Sequence, residues 1–578
     1  MTEENQDWTP SKTKKTARKR TSPARKRADD RKPSETQAAK KAADPAKIPE
    51  PPPDVEVLPP AHFAAQYEPP KKNASGKGRS RNNRRGRSSA PSGPQAQPKS
   101  TEPQEKAVPV DLPVGKDDFS SYFRIRRPGV ASLPQKHEVA DAAELEKQGR
   151  RLGSAGNPLV LADLLQSNFK DLQKLGNQMQ ADLSRVSGED WDGVLEAIFR
   201  VAMKAQQPLH AEGVLANQPD GFSFLVQPEQ GFQARNVDPF VPLSVIRQNR
   251  LRSGQRIKVQ IHPGERGQTC PYVLRVLAVM DKPVEKASEI VPFFQQKILK
   301  VTKGIALSTT KASRAKKKTV EVDPQVSLAQ KIDYLAPLGF GQRILLTGEP
   351  HSGKADVLLA LAGLVSKQSK KEKVRMLFVD SRPELIEKAK EIKGVEVYGT
   401  TFTDDPEMHL DLAANVLEYG ERDAECGENV ILLVDSLSKL ERAQERKFER
   451  ASANHRSGPL GVLPVEAYLR RFWSTGRALE GGGSLTLVAT ETTGVAGNKR
   501  DEFSQILQAM ASSILFLDKT LRWKRHFPPL DVRQTYSHDE EVLLSAAKRK
   551  VISSLRRKMG SVDNEAAFEI LDQELPNA

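Results

Sequence analysis

Nine residues at positions 348–356, GEPHSGKAD, carry the glycine spacing and the lysine of a phosphate-binding loop. In the pattern G-x-x-x-x-G-K-[ST], backbone amides at a helix N-terminus cradle phosphate oxygens, the lysine neutralises charge, and the last hydroxyl ligates magnesium. Gly348, Gly353 and Lys354 match it, whereas Ala355 has no oxygen to offer a metal. Asp356 comes next, but successive helical side chains point in different directions, so its carboxylate is not expected to replace the hydroxyl. Further on, the apolar run of NVILLVDSLSKL ends in Asp435, placed as an acid that orients the magnesium shell from a strand end. These residues indicate a site that holds a nucleoside triphosphate and leave its hydrolysis in question.

A phosphate loop needs a strand before it and a helix after it. GFGQRILLTGEPHSGKADVLLALAGLV has that order, and RILLTG, RMLFVDS, VILLVDS and SLTLVAT alternate with helical stretches. That alternation predicts a parallel sheet covered on both faces, an α/β domain over 329–578. Before it, 281–328 reads as a basic linker with Lys311, Arg314, Lys316, Lys317 and Lys318. Short alternating runs with turn residues over 209–280 predict a small five-stranded barrel. Its DGFSFL places Phe222 and Phe224 on one strand face, either as core or, if the face is open, as a platform for single-stranded bases. Arg250, Arg252, Arg256 and Lys258 close by favour nucleic acid. Over 158–208, leucines at helical spacing, with Ser187 and Asp190 as candidate caps, predict a small helical subdomain.

Residues 1–157 are poor in large apolar side chains and rich in Pro, Ser, Lys and Arg, so they are expected to be a disordered basic arm. Its clusters KTKKTARKR and KKNASGKGRSRNNRRGRSS suit non-specific attraction to RNA or DNA. The 578 residues carry a net charge of +16, which implies polyanionic partners. Two cysteines, Cys270 and Cys426, have neither metal nor disulfide spacing. With no apolar leader and no membrane-length apolar run, the expectation is a cytoplasmic protein without a membrane partner.

From residue 158 onward the chain resembles the bacterial transcription termination factor Rho family, RNA-dependent hexameric ATPases related to rotary ATP synthase subunits. The likeness rests on EGVLANQPDGFSFL, DPFVPLSVIRQNRLRSGQ, KIDYLAPLGFGQR, VDSRPE, VILLVDSLSKLERA, EGGGSLTLVAT and KRHFPPLD. It implies a RecA-like P-loop core behind an OB-fold, cold-shock-like barrel. It also implies ATP as ligand, single-stranded RNA as partner, a homohexamer or co-assembly with a standard Rho, and RNA polymerase as a candidate partner. By the same resemblance, Phe222, Phe224 and Phe240 stand at base-binding positions. Val226 replaces a common arginine, which weakens the case for pyrimidine preference. Lys499 matches a central-channel lysine, with Arg500 beside it, and Phe527 takes the adenine-stacking position.

The resemblance also exposes three departures that bear on one reaction. Ala355 stands for the metal-ligating hydroxyl, Ser381 for the glutamate that polarises water, and His538 for the arginine finger. Serine is not a comparable base near neutrality. Arg382 and Glu384 are the remaining catalytic candidates. The leading expectation is a Rho-like ring that binds RNA and nucleotide with weak or absent hydrolysis, magnesium being less necessary than usual. Two alternatives stand beside it. One is an active translocase using Asp356 on the metal, Arg533 as finger and Glu384 near the water. The other is a non-catalytic subunit that tunes an intact Rho.

Overall fold

The computed structural model describes residues 134, 139–152, 156–184, 186, 188, 190–217, 223–232, 238–264, 270–305, 307–308, 324–368, 371–454, 462–494 and 498–575. Both basic clusters of the arm, the lysines and arginine of 311–318, Ser187 and Phe222 lie outside these residues.

The first sheet has seven strands: β1 (Leu159–Val160), β2 (Leu209–Asn217), β3 (Ser223–Val226), β4 (Phe240–Val241), β5 (Arg256–His262), β6 (Tyr272–Val279) and β7 (Lys282–Pro283). Their order is β1-β2-β3-β4-β6-β5 with β7 on β6, and pairing of β2 with β5 closes the sheet into a barrel. Val214, Leu225, Ile257, Val259 and Val273 are buried in it. Beside it stand helices Phe169–Gln178 and Trp191–Lys204, their N-termini capped by Asn168 and Asp190, whose side chains accept from the amides of Asp171 and Gly193.

The expected arm through residue 157 runs too far. Helix Ala142–Arg151, capped by Asp141, packs on the barrel, where Gln260 Nε2 donates to the Gly149 carbonyl at 2.8 Å. Its buried face is only Ala142, Leu145 and Gly149, too small an apolar stripe to read from periodicity.

The second sheet has nine strands. β8 (Ile298–Leu299) is followed by β9 (Arg343–Gly348), β10 (Lys373–Ser381), β11 (Val395–Thr401), β12 (Asn429–Asp435), β13 (Arg477–Leu479), β14 (Ser484–Thr492), β15 (Ser513–Leu517) and β16 (Tyr536–Ser537). The order is β11-β10-β12-β14-β9-β15-β16, with β13 joining β14 and β8. From β11 to β15 every neighbour pair is parallel. Ile344, Leu345 and Leu346 are wholly buried, as a central parallel strand with both faces covered requires. Gly348, Ser381, Asp435 and Thr492 end four of these strands at the carboxyl edge, where open α/β sheets bind ligands.

The expected linker 281–328 is also corrected. Phe293 is fully buried, β8 pairs with β13, and helix Pro324–Leu335 has already begun. Short apolar pieces separated by prolines hid this docking, because no single piece is long enough to show a period. The barrel is held to helix Pro406–Glu425: Arg252 Nη1 and Nη2 donate to both Glu425 oxygens at 2.7 and 2.6 Å, and Ser253 donates to Glu418. Gly254, at φ +83°, sits where a Cβ would meet the Glu418 carbonyl carbon at 2.5 Å.

Candidate nucleotide cleft and nucleic-acid interface

β9 delivers the chain into the phosphate loop and helix Lys354–Gln368 leads it away. Gly353 has φ +90°, a backbone that side chains rarely adopt. At Gly348 a Cβ would stand 2.7 Å from the Leu517 carbonyl oxygen, so glycine there lets β15 close on the loop. Lys354 Nζ donates to the carbonyls of Gly348 and Glu349, each at 2.7 Å. Burial lowers its pKa to about 8, partly opposed by the charges of Asp435, Glu491 and Glu349.

Asp435 ends β12 in this cleft, but its oxygens are engaged. Oδ1 accepts from Thr490 Oγ1 at 2.6 Å, and Oδ2 lies 3.5 Å from Lys439 Nζ. Lys439 also donates to Ser381 Oγ at 3.0 Å, while Ser381 donates to the Val379 carbonyl at 3.2 Å. Ser381 is 2% exposed, so it is a buried brace rather than a group facing a water nucleophile. Asp356 pairs with Arg522 at 2.6 Å. The loop amides and Lys354 fit phosphate. The donor set does not fit a divalent metal in the usual manner, because Ala355 has no hydroxyl and the two carboxylates that line the cleft, Asp435 and Asp356, are each paired with a cation.

Arg382 lines the cleft; Glu384, exposed in the first turn of helix Pro383–Lys390, is not among its lining residues. Phe527 is half-buried and lines a neighbouring cavity that shares Asp356 with the cleft. Neither Arg533 nor His538 lines the chain's own cleft: Arg533 is exposed after β15, and His538 packs edge-on to Tyr536 at 5.1 Å. Sequence reasoning missed Arg442, Arg522 and Lys439. Arg442, two helical turns beyond Asp435, could have been found by its spacing; Arg522 could not, since only folding brings it to the loop.

On the barrel, cross-strand register puts Phe224 opposite Phe240, Phe240 opposite Tyr272, and Tyr272 opposite His262. Directly opposed residues share a face, so four aromatic rings form one row. Phe224 and Phe240 pack edge to face at 5.8 Å, and His262 stacks on Tyr272 at 4.8 Å. Of the two readings of this strand face, the rings take the closed one: Phe224 and Phe240 are each 1% exposed, each packed on its aromatic neighbour. Tyr272 and His262 extend the row beyond the residues named from sequence. Lys499 and Arg500 fall in the first turn of helix Asn498–Met510, and their side chains lie outside the described residues. Among the described residues no helix is long and apolar enough to cross a membrane.

Comparison with known proteins agrees with both halves of this architecture. Residues 211–285 match the model of the Rho termination factor RNA-binding domain, and residues 329–537 match the nucleotide-binding domain of the ATP synthase alpha/beta family. The Haemophilus influenzae transcription termination factor Rho is 29% identical over 420 residues, 72% of this chain and 96% of that protein. The Aquifex aeolicus factor is 26% identical over 422 residues, 72% of this chain and 92% of its own length. The Bacillus subtilis factor is 28% identical over 399 residues, covering 66% and 89%. The chain is a divergent relative of the bacterial Rho termination factors, in which a Rho-type RNA-binding barrel precedes a nucleotide-binding domain of the ATP synthase kind.

Proposed function

We propose that this protein is a Rho-like ring component that binds single-stranded RNA and a nucleotide, acts in transcription termination or its regulation, and hydrolyses ATP slowly or not at all. One observation carries the hydrolysis part: Lys439 ties Ser381 to Asp435 in the cleft, where a general base and a metal-shell acid would have to be free. Ala355 removes the metal's hydroxyl as well. Losing an arginine finger alone costs roughly 10³–10⁵ in rate in other phosphoryl-transfer enzymes. An active motor using Asp356 on the metal is less well supported, because that carboxylate is paired with Arg522. RNA binding rests on the Rho-type barrel and its aromatic row, with the rings of Phe224, Phe240 and Tyr272 as base-stacking groups once uncovered. The homohexamer, or co-assembly with a standard Rho, belongs to the same proposal.

The test is ATP turnover by the full chain with and without polypyrimidine RNA, beside equilibrium dialysis of nucleotide. Retained nucleotide with turnover far below about 1 per second is expected. RNA-stimulated turnover at ordinary motor rates would end this reading.

A further inference from the structure

Five basic side chains, His351, Lys354, Arg382, Arg442 and Arg522, line the cleft of about 610 Å³ around the phosphate loop, against two carboxylates, Asp356 and Asp435. Asp435 is already answered by Thr490 and Lys439, so the uncommitted charge of the cleft is positive. Arg522 occupies a particular place in it. A Cβ on Gly353 would stand 3.2 Å from its Cδ and 3.3 Å from its Nε, so its side chain lies along the phosphate loop itself. Its guanidinium ends on Asp356, and the two side chains are 35% and 38% exposed. Ion pairs that open to solvent are weak and exchange partners readily. A phosphate, by contrast, offers a guanidinium two parallel charge-assisted hydrogen bonds.

We propose, resting on the reading of the cleft as a nucleotide-holding site, that it takes the polyphosphate as a metal-free anion and that Arg522 leaves Asp356 to bind it. Arg522 then supplies positive charge that a divalent ion supplies in clefts with a hydroxyl at the loop's last position. Asp356 competes for Arg522 and is not a metal ligand. The pair therefore sets selectivity for free over metal-complexed nucleotide.

The test measures the dissociation constant of a fluorescent N-methylanthraniloyl ATP for the full chain in magnesium and in excess EDTA, with turnover followed in parallel. The wild-type chain is expected to bind at least as tightly in EDTA. Arg522→Ala should weaken that binding roughly ten- to a hundredfold, the range for a lost charged hydrogen bond. Asp356→Asn, which keeps shape and removes the competing charge, should tighten it severalfold. Binding that requires magnesium, or is abolished by Asp356→Asn, would overturn the proposal and make Asp356 a metal ligand. Equal weakening by both variants would also overturn it, since the pair would then only brace the loop. Slow turnover with magnesium-dependent binding sinks this inference alone, whereas fast turnover sinks the reading on which it rests.

Discussion

Lys354 is pulled in two directions, because burial favours its neutral amine while its task requires the cation. Its pKa lies at about 8, below the ordinary 10.5. Between those values the unfolded chain holds a proton that the folded chain has released, so the ligand-free protein gains stability as pH rises through that window. Phosphate binding runs the opposite way: the cation is half present at about pH 8, fills in as pH falls below it and is lost above it. Nucleotide affinity, followed by fluorescence titration from pH 6.5 to 9.5, should fall on the alkaline side, and Lys354→Arg should flatten the profile because guanidinium stays charged. A flat wild-type profile would mean that the cation does not govern affinity. The contact of Lys439 with Ser381 explains why restoring a glutamate at 381 is not a simple repair. The new carboxylate would face an ammonium that already serves Asp435.

At the level of elements, helix Pro406–Glu425 joins the two sheets. Glu425 is nearly without exposure, yet it accepts from Arg252, lies 2.8 Å from Arg422 and accepts from the Phe293 amide at 2.6 Å. Removing one partner of such a buried network typically costs about 3–5 kcal/mol, since the others are left uncompensated. Glu425→Ala should lower the denaturation midpoint accordingly and speed protease cleavage near residues 281–308, while Glu425→Gln should lose less. How far sequence could foresee the fold follows from the same physics. The strands RILLTG and VILLVDS were legible because central parallel strands are continuous apolar runs, and the phosphate loop because its glycines are positional. Helix Ala142–Arg151 was not, since it buries one alanine, one leucine and one glycine. The closed state of Phe224 and the placement of Arg522 depend on cross-strand packing and on contacts over 166 residues of separation, which no local pattern encodes.

For the whole molecule, charge dominates. The net +16 is concentrated in runs such as those at 12–27 and 71–87, which lie beyond the described fold. Each phosphate neutralised releases counterions and steepens the salt dependence of binding, by about 0.7 in slope for single strands. Deleting residues 1–133 should therefore flatten the plot of log affinity against log salt for RNA while leaving a salt-resistant component from the barrel. Filter binding between 50 and 300 mM salt, roughly the range over which such effects are large, would measure it. An unchanged slope would remove the arm from RNA binding.

The strand pairing of Ile298–Leu299 with Arg477–Leu479 has a practical corollary. A nucleotide-binding half begun at residue 329 would lose β8 from the edge of its sheet and Phe293 from its core, and would be a damaged fragment. Modules exchanged with other proteins of this kind should be spliced ahead of Phe293, so that the segment running to Ser308, anchored with Leu307 on Asp333, stays with the second sheet.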